Sequence, residues 1–219
     1  MTRRLRSPRV LDIADLRRAA RRRLPRVVFD YIDGGADDEV TLGENTRAFD
    51  RVLLRPCCAV AIPEPELRAS VLGAPLSLPV LLGPVGSSRM FHPRGEEAAA
   101  RAAGAAGTLY TLSTLAGCRL EDVRAATPGP AWYQLYLVGG RDVARRAIER
   151  ARRAGSAALM LTLDTPVAGL RRRDLRNGAP ELLRGGLAAL PHLPSILGHP
   201  RWLLGYLRDG GLMRFPNVV

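Results

Sequence analysis

Between residues 78 and 165 short apolar runs alternate with helical patterns, and that alternation constrains the fold more than any other feature of the chain. The run LPVLLGPVG (78–86), ended by Gly and Pro, reads as a buried strand. EEAAARAAGAAG (96–107) reads as a helix and TLYTLS (108–113) as a strand. LEDVRAA (120–126) is a short helix, AWYQLYL (131–137) a strand, RDVARRAIERARRAG (141–155) a helix and AALMLTLDT (157–165) a strand. Four apolar strands separated by helices imply βαβ units and a parallel sheet, buried on both faces.

The polar residues of this region collect where the strands end. Ser113 closes one, Gln134 and Tyr136 the next, and Thr162 and Asp164 the last. Members of each pair are two residues apart and so share a face. A core disfavours such residues, whereas strand ends facing a common mouth are where α/β barrels carry their chemistry. Directly after the last strand come Arg171, Arg172 and Arg173. A charge run is ordinarily a solvated loop, but three strand ends in agreement make this one part of an anion site.

The flanks are less regular. LDIADLRRAARRRL (11–24) sets Ile13, Leu16, Ala20 and Leu24 on one helical face and arginines on the other. Gly34-Gly35 ends a second helix, and Asp37 and Asp38 suit the start of a third. Residues 52–78, punctuated by five Pro and Gly positions, read as short strands and turns. Past residue 178 the rhythm stops, and a Leu-, Gly- and Pro-rich stretch reads as short helices. There Trp202, Leu203, Leu204, Tyr206 and Leu207 make an apolar patch suited to a membrane surface or a partner, with packing onto the rest of a barrel the favoured reading. The divisions are thus 1–78 (helices and short strands), 79–177 (four βα units) and 178–219 (an excursion).

Composition removes other classes. The net charge of +12 resembles a nucleic-acid signature, but all 33 basic residues are arginine, which fits a GC-rich coding bias. They are spread along the chain, and 5% aromatics leaves little to stack bases, so no specific nucleic-acid partner is expected. Cys57, Cys58 and Cys118 have neither metal-ligand spacing nor the makings of a disulfide framework, so no metal is expected and a reducing cytoplasm fits. Without an apolar segment of spanning length, membrane contact is at most peripheral.

Five strings in one register, FDYIDGGADDEVTLGENTRAFDR, GPVG with HPRGE, TLSTLA, WYQLY and LTLDTPVAGLRRRDLRNG, resemble the FMN-dependent α-hydroxy-acid dehydrogenase and oxidase family. The resemblance runs from about residue 11 to 178 and implies a TIM (β/α)8 barrel, here incomplete: an N-terminal helical extension followed by the first four βα units. It implies FMN as cofactor and a small, lactate-like 2-hydroxy acid as substrate, oxidised to the 2-oxo acid. Pro84, Val85 and Gly86 would lie against the flavin ring, and Ser113, Gln134 and Thr162 would hydrogen-bond it. Tyr31 and Arg171 would take the substrate carboxylate, Arg171 as a bidentate fork, while Tyr136 would touch the substrate oxygens. Arg172 and Arg173 then read as loop surface. Taken without the resemblance, Tyr31 beside Phe29 reads as core.

The same resemblance sets out what the sequence does not contain. The family's later strands would bring a lysine near the flavin, a proton-abstracting histidine, a second substrate arginine and the phosphate loops. His92, His192 and His199 occupy no matching strand end, so no catalytic general base is expected. The expectation is a front half-site: inactive as it stands, homo-oligomeric when complete, and alternatively a non-catalytic half-barrel that self-associates without binding flavin productively.

Overall fold

A computed structural model describes residues 10–61, 63–163, 167, 169–184, 186–211 and 213–218. In chain order its helices and strands are α1 (Ile13–Arg23), α2 (Arg26–Asp33), α3 (Val40–Asp50), β1 (Ala69–Val71), β2 (Ala74–Leu76), α4 (Ser88–Phe91), α5 (Gly95–Ala105), β3 (Tyr110–Ser113) and α6 (Leu120–Ala125). There follow β4 (Ala131–Leu135), α7 (Arg141–Arg153), β5 (Ala158–Leu161), α8 (Arg172–Arg176), α9 (Ala179–Arg184), a 3-10 helix (Gly186–His192), α10 (Leu193–Leu197) and α11 (Pro200–Arg208). Two compact units result: Met1–Arg47 with Gly169–Leu204, and Ala48–Ala168 with Gly205–Val219.

The second unit is built on the parallel sheet β3-β4-β5, with Ser113 opposite Gln134 and Leu135 opposite Leu161. Period-2 alternation sorts its side chains. Tyr110, Leu112, Tyr133 and Leu135 point into a core with Ala100 and Ala103 of α5, Val123 of α6, and Ala144, Ala147 and Ala151 of α7. The alanine stripes allow the helices to lie close on the sheet, while the arginines of α7 take its other side. The opposite face carries Leu109 and Trp132, packed with Leu76, Ala158 and Met160, and ends in the polar residues. The tail closes on this unit through buried Asn217, which accepts from Leu120 N at 3.0 Å and donates to Cys118 O at 2.8 Å.

Two of the four expected strands are altered. The run 78–86 joins the sheet only at Leu82, whose N–H donates to Leu109 O and whose carbonyl accepts from Thr111 N, both at 3.0 Å. Pro79 and Pro84 lack the amide hydrogens a longer ladder needs, and Gly83 weakens extended backbone, so the strand shrinks to a bridge. Val80 and Leu81 remain well exposed. β5 is an edge strand that pairs with β4 alone among the described residues, so Leu159 and Leu161 keep 41% and 45% exposure instead of being buried. The expected four-stranded sheet is therefore three strands and a bridge.

Turn chemistry holds the crossovers in place. Gly107, after α5, sits at φ +67°, and a Cβ there would lie 2.2 Å from Ser77 Oγ, so only glycine fits where Ser77 N donates to its carbonyl. β1 and β2 form a short antiparallel hairpin.

In the first unit, α1 opens with a reciprocal cap: Asp15 N donates to Asp12 Oδ1 at 2.7 Å and Leu11 N donates to Asp15 Oδ2 at 2.8 Å. The apolar face of α1 is open at Ile13 (79% exposed) and Leu16, half-buried at Ala20 and buried at Leu24 just past the helix. α2 buries Val27, Val28 and Phe29. Residues 169–204 belong to this unit, so part of the stretch assigned to the excursion shares a unit with the N-terminal helices.

Candidate functional site

The sheet face opposite the helices ends in one polar row. Ser113 Oγ donates to Gln134 Oε1 at 3.1 Å, and Gln134 Nε2 donates to Thr162 Oγ1 at 2.8 Å. Thr114 N also donates to Gln134 Oε1, at 3.2 Å. A backbone N–H can only donate, so that contact settles which end of the carboxamide is oxygen. Thr114 locks the row from behind: its Oγ1 donates to Gln134 O at 2.6 Å and accepts from Tyr136 N at 3.2 Å. Ser113 and Gln134 are buried and Thr162 is half-buried, so the row is shielded at one end and accessible at the other. Asp164, expected beside Thr162, lies outside the described residues.

Pro84, Val85 and Gly86 follow the bridge at Leu82 in the same unit, and Val85 is half exposed. A Cβ on Gly86 would approach Leu115 Cβ to 3.3 Å and Leu115 O to 3.4 Å, so the extra room of a glycine here is a narrow gap against Leu115. Tyr136 is half-buried immediately past β4.

Tyr31 and Arg171 meet within the first unit. The guanidinium carbon of Arg171 lies 5.0 Å from the centroid of the Tyr31 ring, and its Nη2 donates to the Tyr31 carbonyl. Arg171 Nε donates to Asp174 Oδ2 at 2.5 Å. The arginine run is not loop surface. Arg172 and Arg173 open α8; Arg172 pairs with Asp37 and Asp38, and Arg173 pairs with Glu39 and with Asp33 at 2.9 Å. Asp33 also takes Arg17, and its carboxyl is held below the usual carboxylate range by Arg17 first and Arg173 second, against the opposing effect of burial. Arg173 likewise lowers Glu39.

The sequence pattern of the FMN-dependent dehydrogenase family matches residues 20–217. The chain belongs to that family. It is 41% identical over 217 residues to a putative L-lactate dehydrogenase of Mycobacterium tuberculosis, covering 95% of this chain and 51% of that protein. The chain thus spans about half the length of the curated relatives it matches. Among solved structures it resembles the monotopic membrane protein (S)-mandelate dehydrogenase, with a TM-score of 0.88 and 33% identity over 97% of this chain and 56% of that one. A soluble mutant of the membrane-associated (S)-mandelate dehydrogenase of Pseudomonas putida gives a TM-score of 0.74 and 38% identity, over 77% of this chain and 48% of that one.

The strand-end row suits the family's FMN. Its groups are neutral hydroxyls and a carboxamide whose Nε2 keeps a second hydrogen, matching the alternating carbonyl and N–H edge of a flavin ring. None of the three histidines lies at the end of β3, β4 or β5. His92 caps α4 and bonds Pro93 O, His192 ends the 3-10 helix, and His199 bonds Ser195 O. Sequence reasoning missed Thr114 and Asp174. Asp174 was signalled by its place three residues after Arg171, a helical pairing distance. Thr114 carried no signal beyond following Ser113.

Proposed function

We propose that the chain carries the flavin-ring and substrate-carboxylate contacts of an FMN-dependent oxidoreductase that converts a small 2-hydroxy acid to its 2-oxo acid. The single observation behind this reading is the Ser113–Gln134–Thr162 row at three adjacent strand ends. Pro84, Val85 and Gly86 supply the apolar backing. FMN, when bound, accepts the two electrons released as the carbinol becomes a carbonyl. Arg171 grips the carboxylate: its Nε is committed to Asp174 and one Nη2 hydrogen to the Tyr31 carbonyl, so the fork is formed by Nη1 and the second hydrogen of Nη2. Stacking on Tyr31 keeps that guanidinium plane in one orientation. Tyr31 and Tyr136 supply hydroxyl groups to the substrate oxygens.

No histidine directly follows β3, β4 or β5, so the residues of these strand ends hold and orient an acid without taking its proton. The chain alone is therefore expected to bind FMN weakly and to leave it oxidised. The test is FMN fluorescence quenching, then anaerobic addition of lactate, glycolate or mandelate. A bleached flavin would overturn the half-site reading, and unchanged fluorescence at saturating protein would overturn the assignment of the row.

A second reading rests on the exposed edge at β5. Edge strands with apolar side chains recruit further strands, so self-association of this chain is expected by light scattering. The tail also supports peripheral membrane association, given the likeness to a monotopic protein; no helix among the described residues is long and apolar enough to cross a bilayer. Burial pushes the Cys118 thiol up to about 12 and keeps it protonated, while Cys57 and Cys58 are exposed, a pattern that suits a reducing cytoplasmic side.

A further inference from the structure

We propose that Glu96, a buried acid outside the strand-end row, is a positioning residue for the flavin-ring contacts and acts through Gly117. The inference rests on the reading of the row given above. Glu96 lies in the first turn of α5 and is 0% exposed. Its Oε1 accepts from Gly117 N at 3.0 Å, and its Oε2 finds no hydrogen-bond partner among the described residues. Beside the carboxyl stands the Cys118 thiol, a weak donor. An acid buried on such terms is a poor stabiliser, because its desolvation is repaid sparingly. What the side chain supplies is a fixed place for the amide it holds.

That amide belongs to the segment joining β3 to α6, and the segment touches both parts of the proposed flavin site. Thr114 N donates to Gln134 Oε1 at 3.2 Å and Leu115 N to Ser113 Oγ at 3.1 Å. Ala116 N donates to Ser113 O at 3.1 Å, and Gly117 N follows with Glu96. Of these four acceptors, only Glu96 is a side chain from outside the row. On its other side the segment meets the apolar backing: Leu115 O accepts from Ser87 N at 2.9 Å, and Leu115 stands against Gly86. A displacement of Gly117 is therefore passed to the Ser113 hydroxyl and to the backing together.

The packing around Gly117 gives it one place. Arg89 of α4 donates from Nη1 to Gly117 O at 3.5 Å, so an acid and a guanidinium hold the N–H and the carbonyl of the same residue. A Cβ there would lie 2.9 Å from Arg89 Cβ and 3.0 Å from Met213 Cε, an approach that glycine permits. Glu97 makes the contrast. It is also buried, but its carboxyl pairs with Arg94.

The test is FMN fluorescence quenching with amide hydrogen exchange on the 219-residue chain and its variants. Glu96→Leu leaves the Gly117 amide without its acceptor and is expected to raise the Kd for FMN about tenfold. Exchange at residues 114–117 is expected to quicken in the same variant. Glu96→Gln keeps an oxygen that accepts from Gly117 N and should stay near the parent in both measurements. Glu97→Leu should leave the affinity for FMN unchanged. A merely structural side chain would lower the urea midpoint and leave the affinity of the folded protein alone. Parental affinity in folded Glu96→Leu would thus overturn the inference and leave the row standing. An equal loss in Glu96→Gln would overturn the hydrogen bond as the route, and an equal loss in Glu97→Leu would overturn the special place of Glu96. If Glu96→Leu does not fold, Gly117→Ala decides, since it displaces the segment with Glu96 intact; parental affinity there would overturn the route through Gly117. Unchanged FMN fluorescence with the parent itself would overturn the assignment of the row, and the role of Glu96 with it.

Discussion

Arg171 is held by Tyr31 twice, through its guanidinium carbon 5.0 Å from the ring centroid and through a hydrogen bond from Nη2 to the Tyr31 carbonyl. The ring carries the guanidinium over its face and the carbonyl takes one of its hydrogens. A residue read from sequence as substrate-facing is thus also an internal tie between α2 and the start of α8. A double-mutant cycle with Tyr31→Ala and Arg171→Gln is expected to show a coupling of about 0.5–1 kcal/mol in urea denaturation. Additive single effects would mean that the stack contributes nothing.

Gln134→Leu is expected to destabilise the second unit by about 2–3 kcal/mol, because it strips the acceptor from the Ser113 hydroxyl and the Thr114 amide in a buried setting. Ser113→Ala removes a donor from the same oxygen, which keeps Thr114 N, and should cost less. Urea midpoints of the two variants give the order, and the reverse order would mean that the row is solvated.

The Glu121–Arg150 pair gives the fold a pH dependence. Arg150, at 2.7 Å through two nitrogens, lowers the Glu121 carboxyl from 4.5 to about 2. A depressed carboxyl stabilises above its unfolded value, and that contribution fades as pH falls from 4.5 towards 2. Glu121→Gln should therefore lower the urea midpoint at neutral pH, with the gap to the parent closing across that acid window. Glu121 is partly exposed, so the gap should also narrow in salt. A gap independent of pH would remove the ion pair as its cause.

Gly95→Ala is expected to lower stability by about 1–3 kcal/mol, although alanine is the better helix former. Its Cβ would stand 2.5 Å from Ser88 O and 2.7 Å from Ser88 C, and backbone atoms do not rotate away. Thermal unfolding measures the loss, and a rise in melting temperature would show that α4 can shift.

What the sequence determined by itself was the order of helices and parallel strands from residue 95 onward, since period-2 and period-3.6 patterns are local properties that each segment carries. It also placed Ser113, Gln134 and Thr162 at strand ends, because alternation assigns a face before any packing occurs. It could not tell that the run 78–86 contributes a single bridge, for the strand's length depends on which amides find partners. Nor could it assign Arg172 and Arg173 to carboxylates more than a hundred residues away, or turn Trp202 inward while leaving Leu204 and Leu207 outside. Those outcomes belong to tertiary structure. A charge's partner and a side chain's burial are set by which segments meet, and long-range contacts leave no period in the sequence.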